Sequence, residues 1–181
     1  MKHVKWALLL IVLVFLCTSC SLGGNSALFA GKSDTDIADG TFKQLVDAIN
    51  SHDSLKVEAI FSKNAQAETD IAKEAEALFA FVSGDILSYT LASDAGVGVD
   101  RKVEKGKQQK EIQSSFTLKT TDSEYHVAVK ECVGDDFDEN NLGVRSVYII
   151  ESKDWNEDYI YRGDSAWTYG INLIDNTQEN A

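Results

Sequence analysis

The chain carries few side chains of the types that perform acid–base or metal chemistry: three histidines and three cysteines in 181 residues. His52 stands beside Asp53 between two helical patterns and reads as a polar turn residue. His126 lies in an alternating stretch, Tyr125 to Val133. The parity that sends Tyr125, Val127 and Val129 inward sends His126 outward with Ala128 and Lys130. With His3 inside the N-terminal leader, the two remaining histidines are too few for a zinc site or a catalytic triad. The acidic run Asp135 to Asn141 offers D-x-D-x-N from Asp136, but Asn141 stands where a calcium loop needs Gly and Val147 where it needs Glu, so it reads as a solvated hairpin tip. No nucleophile elbow, phosphate loop or metal spacing accompanies these residues. The expectation is a domain with no catalytic residue, no cofactor and no metal.

One cysteine is differently placed. Lys2 and Lys5 give a positive start, Trp6 to Leu16 is unbroken apolar, and the run closes on Cys17-Thr18-Ser19-Cys20. A span needs about 20 apolar residues, so this is too short for a permanent membrane helix and has the form of a cleaved export signal. Its end resembles the lipobox of bacterial lipoproteins, with Thr18 and Ser19 as the small residues and Cys17 where Leu is usual. That resemblance implies a lipid on Cys20 and cleavage before it, with residues 1–19 as signal. Acyl chains, at about 0.8 kcal/mol per buried CH₂, would hold the protein on a membrane leaflet outside the cytoplasm. Cys132 is then the lone thiol of the mature domain and reads as packed and inert.

The whole chain has 17 basic and 29 acidic residues, and loss of Lys2 and Lys5 leaves a net charge of 15 − 29 = −14. Such a domain repels phosphate backbones, which argues against nucleic acid and leaves the lipid as the route to the membrane. Residues 20–39, rich in Gly, Ser and Asp, read as a flexible tether, and residues 40–181 as one domain with 44% hydrophobic composition across the chain to build its core.

The elements follow from periodicity. Thr41 and Gln44 have capping-box spacing, with Phe42, Leu45, Val46 and Ile49 on one helical face, ending near Asn50. A shorter helix follows Asp53 or Ser54, with Leu55, Val57, Ile60 and Phe61, and closes around Ser62 to Asn64. A third runs from Thr69 or Asp70 through Ile71, Ala75, Leu78 and Val82 and stops at Gly84. The period then drops to two. Strands are expected over Ile86 to Ser93, Glu111 to Lys119, Tyr125 to Val133 and Val144 to Glu151, the last with Val144, Tyr148 and Ile150 together on one face. Asp94 to Gly106 reads as a long loop with room for a short strand near Val97 to Val103, and Trp167 to Ile174 as a final extended piece. Helices before an antiparallel sheet mean an α+β domain. Leu45, Ile49, Phe61, Leu78, Phe116, Val127 and Tyr148 are the expected core between helices and sheet.

This order, with Leu55 to Ala65 after Asn50-Ser51-His52-Asp53, resembles the cone-shaped nuclear-transport-factor-two-like, cystatin-like superfamily: three N-terminal helices on a curved antiparallel sheet. More narrowly, Phe61 to Ala65, Ala77 to Ile86, Lys110 to Phe116 and Gly143 to Ile150 resemble a bacterial lipoprotein family, domain of unknown function 5104. The likeness spans residues 40–174 and brings no catalytic residues with it. It implies a pocket at the open end of the cone, which in that superfamily holds an enzyme site, binds a ligand or is filled with side chains; His126, Tyr125, Tyr89 and Tyr148 are the candidates for an enzyme site, and Tyr89 and Tyr148 for a small ligand. Trp155, Tyr159, Tyr161, Trp167 and Tyr169 gather five of the nine Trp and Tyr residues near the end of the chain. Two readings of them are open: a cap on the sheet, or a recognition surface for protein or glycan built on Trp155 and Trp167. The expected protein is thus a membrane-anchored module that binds an unknown small ligand or a protein. The alternatives are an enzyme using the cone pocket and an accessory or inhibitory subunit.

Overall fold

The computed structural model describes residues 31–92, 97–155 and 167–174. Cys20, Tyr159 and Tyr161 lie outside them. Among the described residues four helices precede the sheet. The first, α1 (Asp34–Ser51), starts seven residues before the expected Thr41: Ser33 is the N-cap, and its side chain and that of Asp36 bond each other's backbone N–H. Gly40 weakens a helix interior by about 1 kcal/mol. Burial of Ile37 and Ala38 on the same stripe as Leu45 and Ile49 outweighs that cost and carries the helix through residues expected to be tether. The helix ends at His52, in the left-handed region at φ 47°.

Asp53 caps α2 (Ser54–Ile60) and Asp70 caps α4 (Ile71–Phe81). Between them lies α3 (Lys63–Glu68), which was not expected; the Ser62 side chain caps it by accepting from Ala65 N at 3.1 Å.

Among the described residues the sheet has six strands: β1 (Ile86–Leu91), β2 (Val97–Glu104), β3 (Lys107–Thr120), β4 (Glu124–Asp135), β5 (Gly143–Glu151) and β6 (Gly170–Ile174). Their order is β1-β3-β4-β5-β6, with β2 also on β3, and all pairs are antiparallel except β5 with β6. The fold is the expected α+β arrangement, with a curved sheet and a fourth helix added. A parallel return requires a crossover. Both described ends of this one, Trp155 and Trp167, lie on the face of the sheet away from the helices.

The core between helices and sheet joins Phe42, Leu45, Ile49, Val57, Phe61 and Leu78 to Phe116, Tyr125, Val127 and Val147. Tyr148 is buried too, but on the opposite face, in a second cluster with Ala128 and Trp167. The cause is a bulge. Lys130 faces Ser146 and Glu131 faces Val144, so Arg145 is the extra residue and the alternation of β5 reverses there. Val144, Val147 and Ile149 consequently face the helices, while Tyr148 faces outward with Ile150, which is opposite His126. Val144, expected beside Tyr148, is therefore on the other side of the sheet.

Candidate functional site

The helix-covered face is filled where a cone pocket was expected. Phe42 of α1 stacks on Phe116 of β3, ring centroids 3.9 Å apart and planes within 6°. Tyr89 closes on Phe42 edge-on at 5.0 Å. The Tyr89 hydroxyl has its pKa held above the ordinary value, first by burial and then by the charge of Asp39. Tyr89 is thus part of an aromatic wall between α1 and the sheet, and Tyr148 lies behind that sheet. Tyr125, fully buried, spends its hydroxyl on the end of α4, donating to Phe81 O at 3.2 Å and accepting from Ser83 N at 2.9 Å.

The same face contains a carboxyl that the sequence reading passed over. Glu131 is 4% exposed, accepts from Thr41 Oγ1 at 2.7 Å through Oε2, and has no hydrogen-bond partner for Oε1. Burial pushes its pKa up to about 7 despite the Thr41 bond. The signal was present: Tyr125, Val127 and Val129 point inward, and one more step of two reaches Glu131. Thr41, expected as a helix cap, lies mid-helix four residues before Leu45 on the buried stripe.

On the outer face, the His126 ring lies 4.8 Å from Trp155, and Tyr148 meets Trp167 at 5.6 Å and 88°. Thr168 N donates to the Tyr148 hydroxyl at 2.8 Å, and the Ser146 hydroxyl donates to Trp167 O at 2.8 Å. Trp167 is only 8% exposed. The described aromatics near the end of the chain therefore pack on the sheet. Beside them Lys130 reaches Glu111 at 3.0 Å, and Arg145 lies 4.7 Å from the Tyr169 ring. His126 is held below its ordinary pKa by burial, against the pull of Glu124. His126 and Glu131 thus sit on opposite faces of β4 and converge on nothing common.

The acidic loop is occupied by its own amides. Asp135 accepts from Phe137 N and Asp138 N through Oδ1, and from the Gln109 and Asn141 side chains through Oδ2. Asp138 takes Asn64 of α3 and Asn140 N. Burial raises Asp135, but these bonds outweigh it, and both carboxyls lie below their ordinary range. The loop works as a clasp between α3 and the β4–β5 turn. Among the described residues no group of three or more His, Cys, Asp or Glu could hold a metal ion. Cys132 is buried, with its thiol pushed up to about 11, as an inert packed sulfur should be.

Open recesses follow the helix edge. A cleft of about 520 Å³ runs between Ile60, Lys63 and Gln66 on one side and Asn140 and Leu142 on the other. A second of about 370 Å³, between Gln44, Asp47 and Lys56, shares Ala59 and Ile60 with it. Leu55, one turn before Ala59 on α2, is 71% exposed.

A family profile matches residues 44–152, from α1 to just past β5, and the chain belongs to that family: domain of unknown function (DUF5104). No curated protein matches the chain significantly.

Proposed function

We propose that this member of the domain-of-unknown-function family is a lipid-anchored module outside the cytoplasm that binds a protein partner and does not catalyse. The observation that carries the reading is the Phe42–Phe116–Tyr89 cluster. It occupies the space between helices and sheet in which a small ligand or a substrate would be held, and among the described residues open clefts lie along α2. Such shallow recesses beside an exposed Leu55 suit a side chain from another protein better than an enclosed small molecule, which normally has most of its surface buried. The anchor rests on Cys20 and its leader: no helix among the described residues is long and apolar enough to cross a membrane.

The test is capture from native membranes. The full chain is expressed in its host with a photoreactive residue in place of Leu55, cross-linked and recovered in detergent. One discrete protein adduct, lost when Ala59→Arg is added, supports the reading. A cross-link pattern unchanged by Ala59→Arg would overturn the helix-edge surface. Binding of a small molecule from a metabolite screen, abolished by Tyr89→Ala with the fold retained, would replace protein binding by the small-ligand alternative. Turnover that depends on Glu131 or His126 would replace both by an enzyme.

A further inference from the structure

β2 is the rim strand of the sheet. It pairs with Lys107–Ser114 of β3, β1 pairs with Phe116–Thr120, and among the described residues no strand lies on the other side of β2. The β2–β3 turn runs over Lys105 and Gly106, both with positive φ, 51° and 82°. In such a two-residue turn the flanking residues, Glu104 and Lys107, exchange both backbone bonds. Counting back by twos, Glu104, Lys102, Asp100 and Gly98 direct their backbone groups to β3. Val103, Arg101, Val99 and Val97 present theirs outward, a template for another strand. Val99 and Val103 lie on one face of that rim, 40% and 73% exposed.

We propose that β2 pairs edge to edge with β2 of a second copy of this chain, antiparallel, about a two-fold axis at Arg101. A two-fold relating neighbouring antiparallel strands stands perpendicular to the sheet, so residues that face each other share a face and their numbers add to an even total. Centred on Asp100, the register sets Asp100 against itself; centred on Lys102, it sets Lys102 against itself and Asp100 against Glu104. Centred on Arg101, it sets Asp100 opposite Lys102 of the second copy twice and Val99 opposite Val103 twice, and it engages the outward backbone row from Val99 to Val103. Only Arg101 faces its own kind. Charged side chains on an edge strand ordinarily deter pairing; here one register makes them complementary. Both charges are held in place: Asp100 accepts from Gln113 Nε2 at 2.6 Å, and Lys102 Nζ lies over the Phe137 ring at 4.8 Å. A strand edge alone is a small interface and binds weakly in solution. The geometry is independent of Cys20, but the proposed anchor would strengthen pairing by confining both copies to one surface.

Zero-length carbodiimide coupling reads the register directly. Equal amounts of isotopically heavy and light full-length chain, mixed in detergent, should give a peptide joining Asp100 of one label to Lys102 of the other. Asp100→Lys should weaken self-association on the order of tenfold by placing two like-charge pairs face to face. Adding Lys102→Asp should restore it, and Arg101→Thr should tighten it severalfold. Each of these residues is exposed, so circular dichroism should report an unchanged fold. A chain that sediments only as a monomer, links confined to one label, or a charge swap that fails to restore pairing would overturn the proposal. An unlipidated Cys20 would lower the strength of pairing and leave the linked residues the same.

Discussion

Thr41 and Glu131, 90 positions apart, share a hydrogen bond of 2.7 Å under the first helix, in a site from which water is largely excluded. It ties the middle of α1 to the inward face of β4.

The pH dependence follows from the raised pKa. In the unfolded chain Glu131 ionises near 4.5, and in the folded protein near 7, so between those values the folded state holds the extra proton. Stability from this group is full below about pH 4.5, falls as pH rises to about 7 and is then level, a loss of about 3 kcal/mol. His126, held below its ordinary pKa, gives the opposite slope where the ranges overlap. The difference between wild type and Glu131→Gln isolates the carboxyl. Denaturant titrations should show the Gln variant ahead by roughly 2 to 3 kcal/mol at pH 8 and level with wild type at pH 4. A difference that does not change with pH would mean that Glu131 is ionised in the fold.

Phe116 is 1% exposed and stacked on Phe42. Phe116→Ala should cost about 3 to 5 kcal/mol, because it removes a ring from the centre of the helix-sheet contact and leaves a cavity. Phe61→Ala, at the bridge from α2 to Val144, should cost a similar amount. Thermal or urea unfolding checks both, and a loss under about 1 kcal/mol at both sites would contradict the packing described.

Tyr148→Phe should destabilise by about 1 kcal/mol, since Thr168 N loses its acceptor while the ring contact with Trp167 remains. Tyr148→Ala should also shift Trp167 emission to longer wavelength as that ring meets water. Trp155, against His126, supplies a control that should not respond.

Acylation is checked by intact mass. Chain recovered from its host's membranes should begin at Cys20 and carry acyl mass, and Cys20→Ser should move the protein from the detergent phase to the aqueous one. An unmodified N-terminus at Cys20 would leave a secreted protein without an anchor.

Local chemistry settled most of the elements before any partner was known. The 3.6-residue stripe of Phe42, Leu45, Val46 and Ile49, the caps at Asp53 and Asp70, and the alternation of Tyr125, Val127 and Val129 each depend on residues a few positions apart, and each stands where it was expected. What failed to show locally depended on distant residues. α1 extends back to Asp34 because the sheet offers Ile37 and Ala38 a place to be buried, which outweighs Gly40. Tyr148 changes face because a bulge at Arg145 exists only in the pairing of β5 with β4. β6 runs parallel to β5, and Trp167 just before it packs edge-on against Tyr148, a contact between segments that no local pattern announces. Glu131 meets Thr41 only when α1 lies across β4. Periodicity is a property of one segment, and burial is a property of two, so the sequence by itself determined most of the elements, and the tertiary structure alone decided which face Val144, Tyr148 and Glu131 serve.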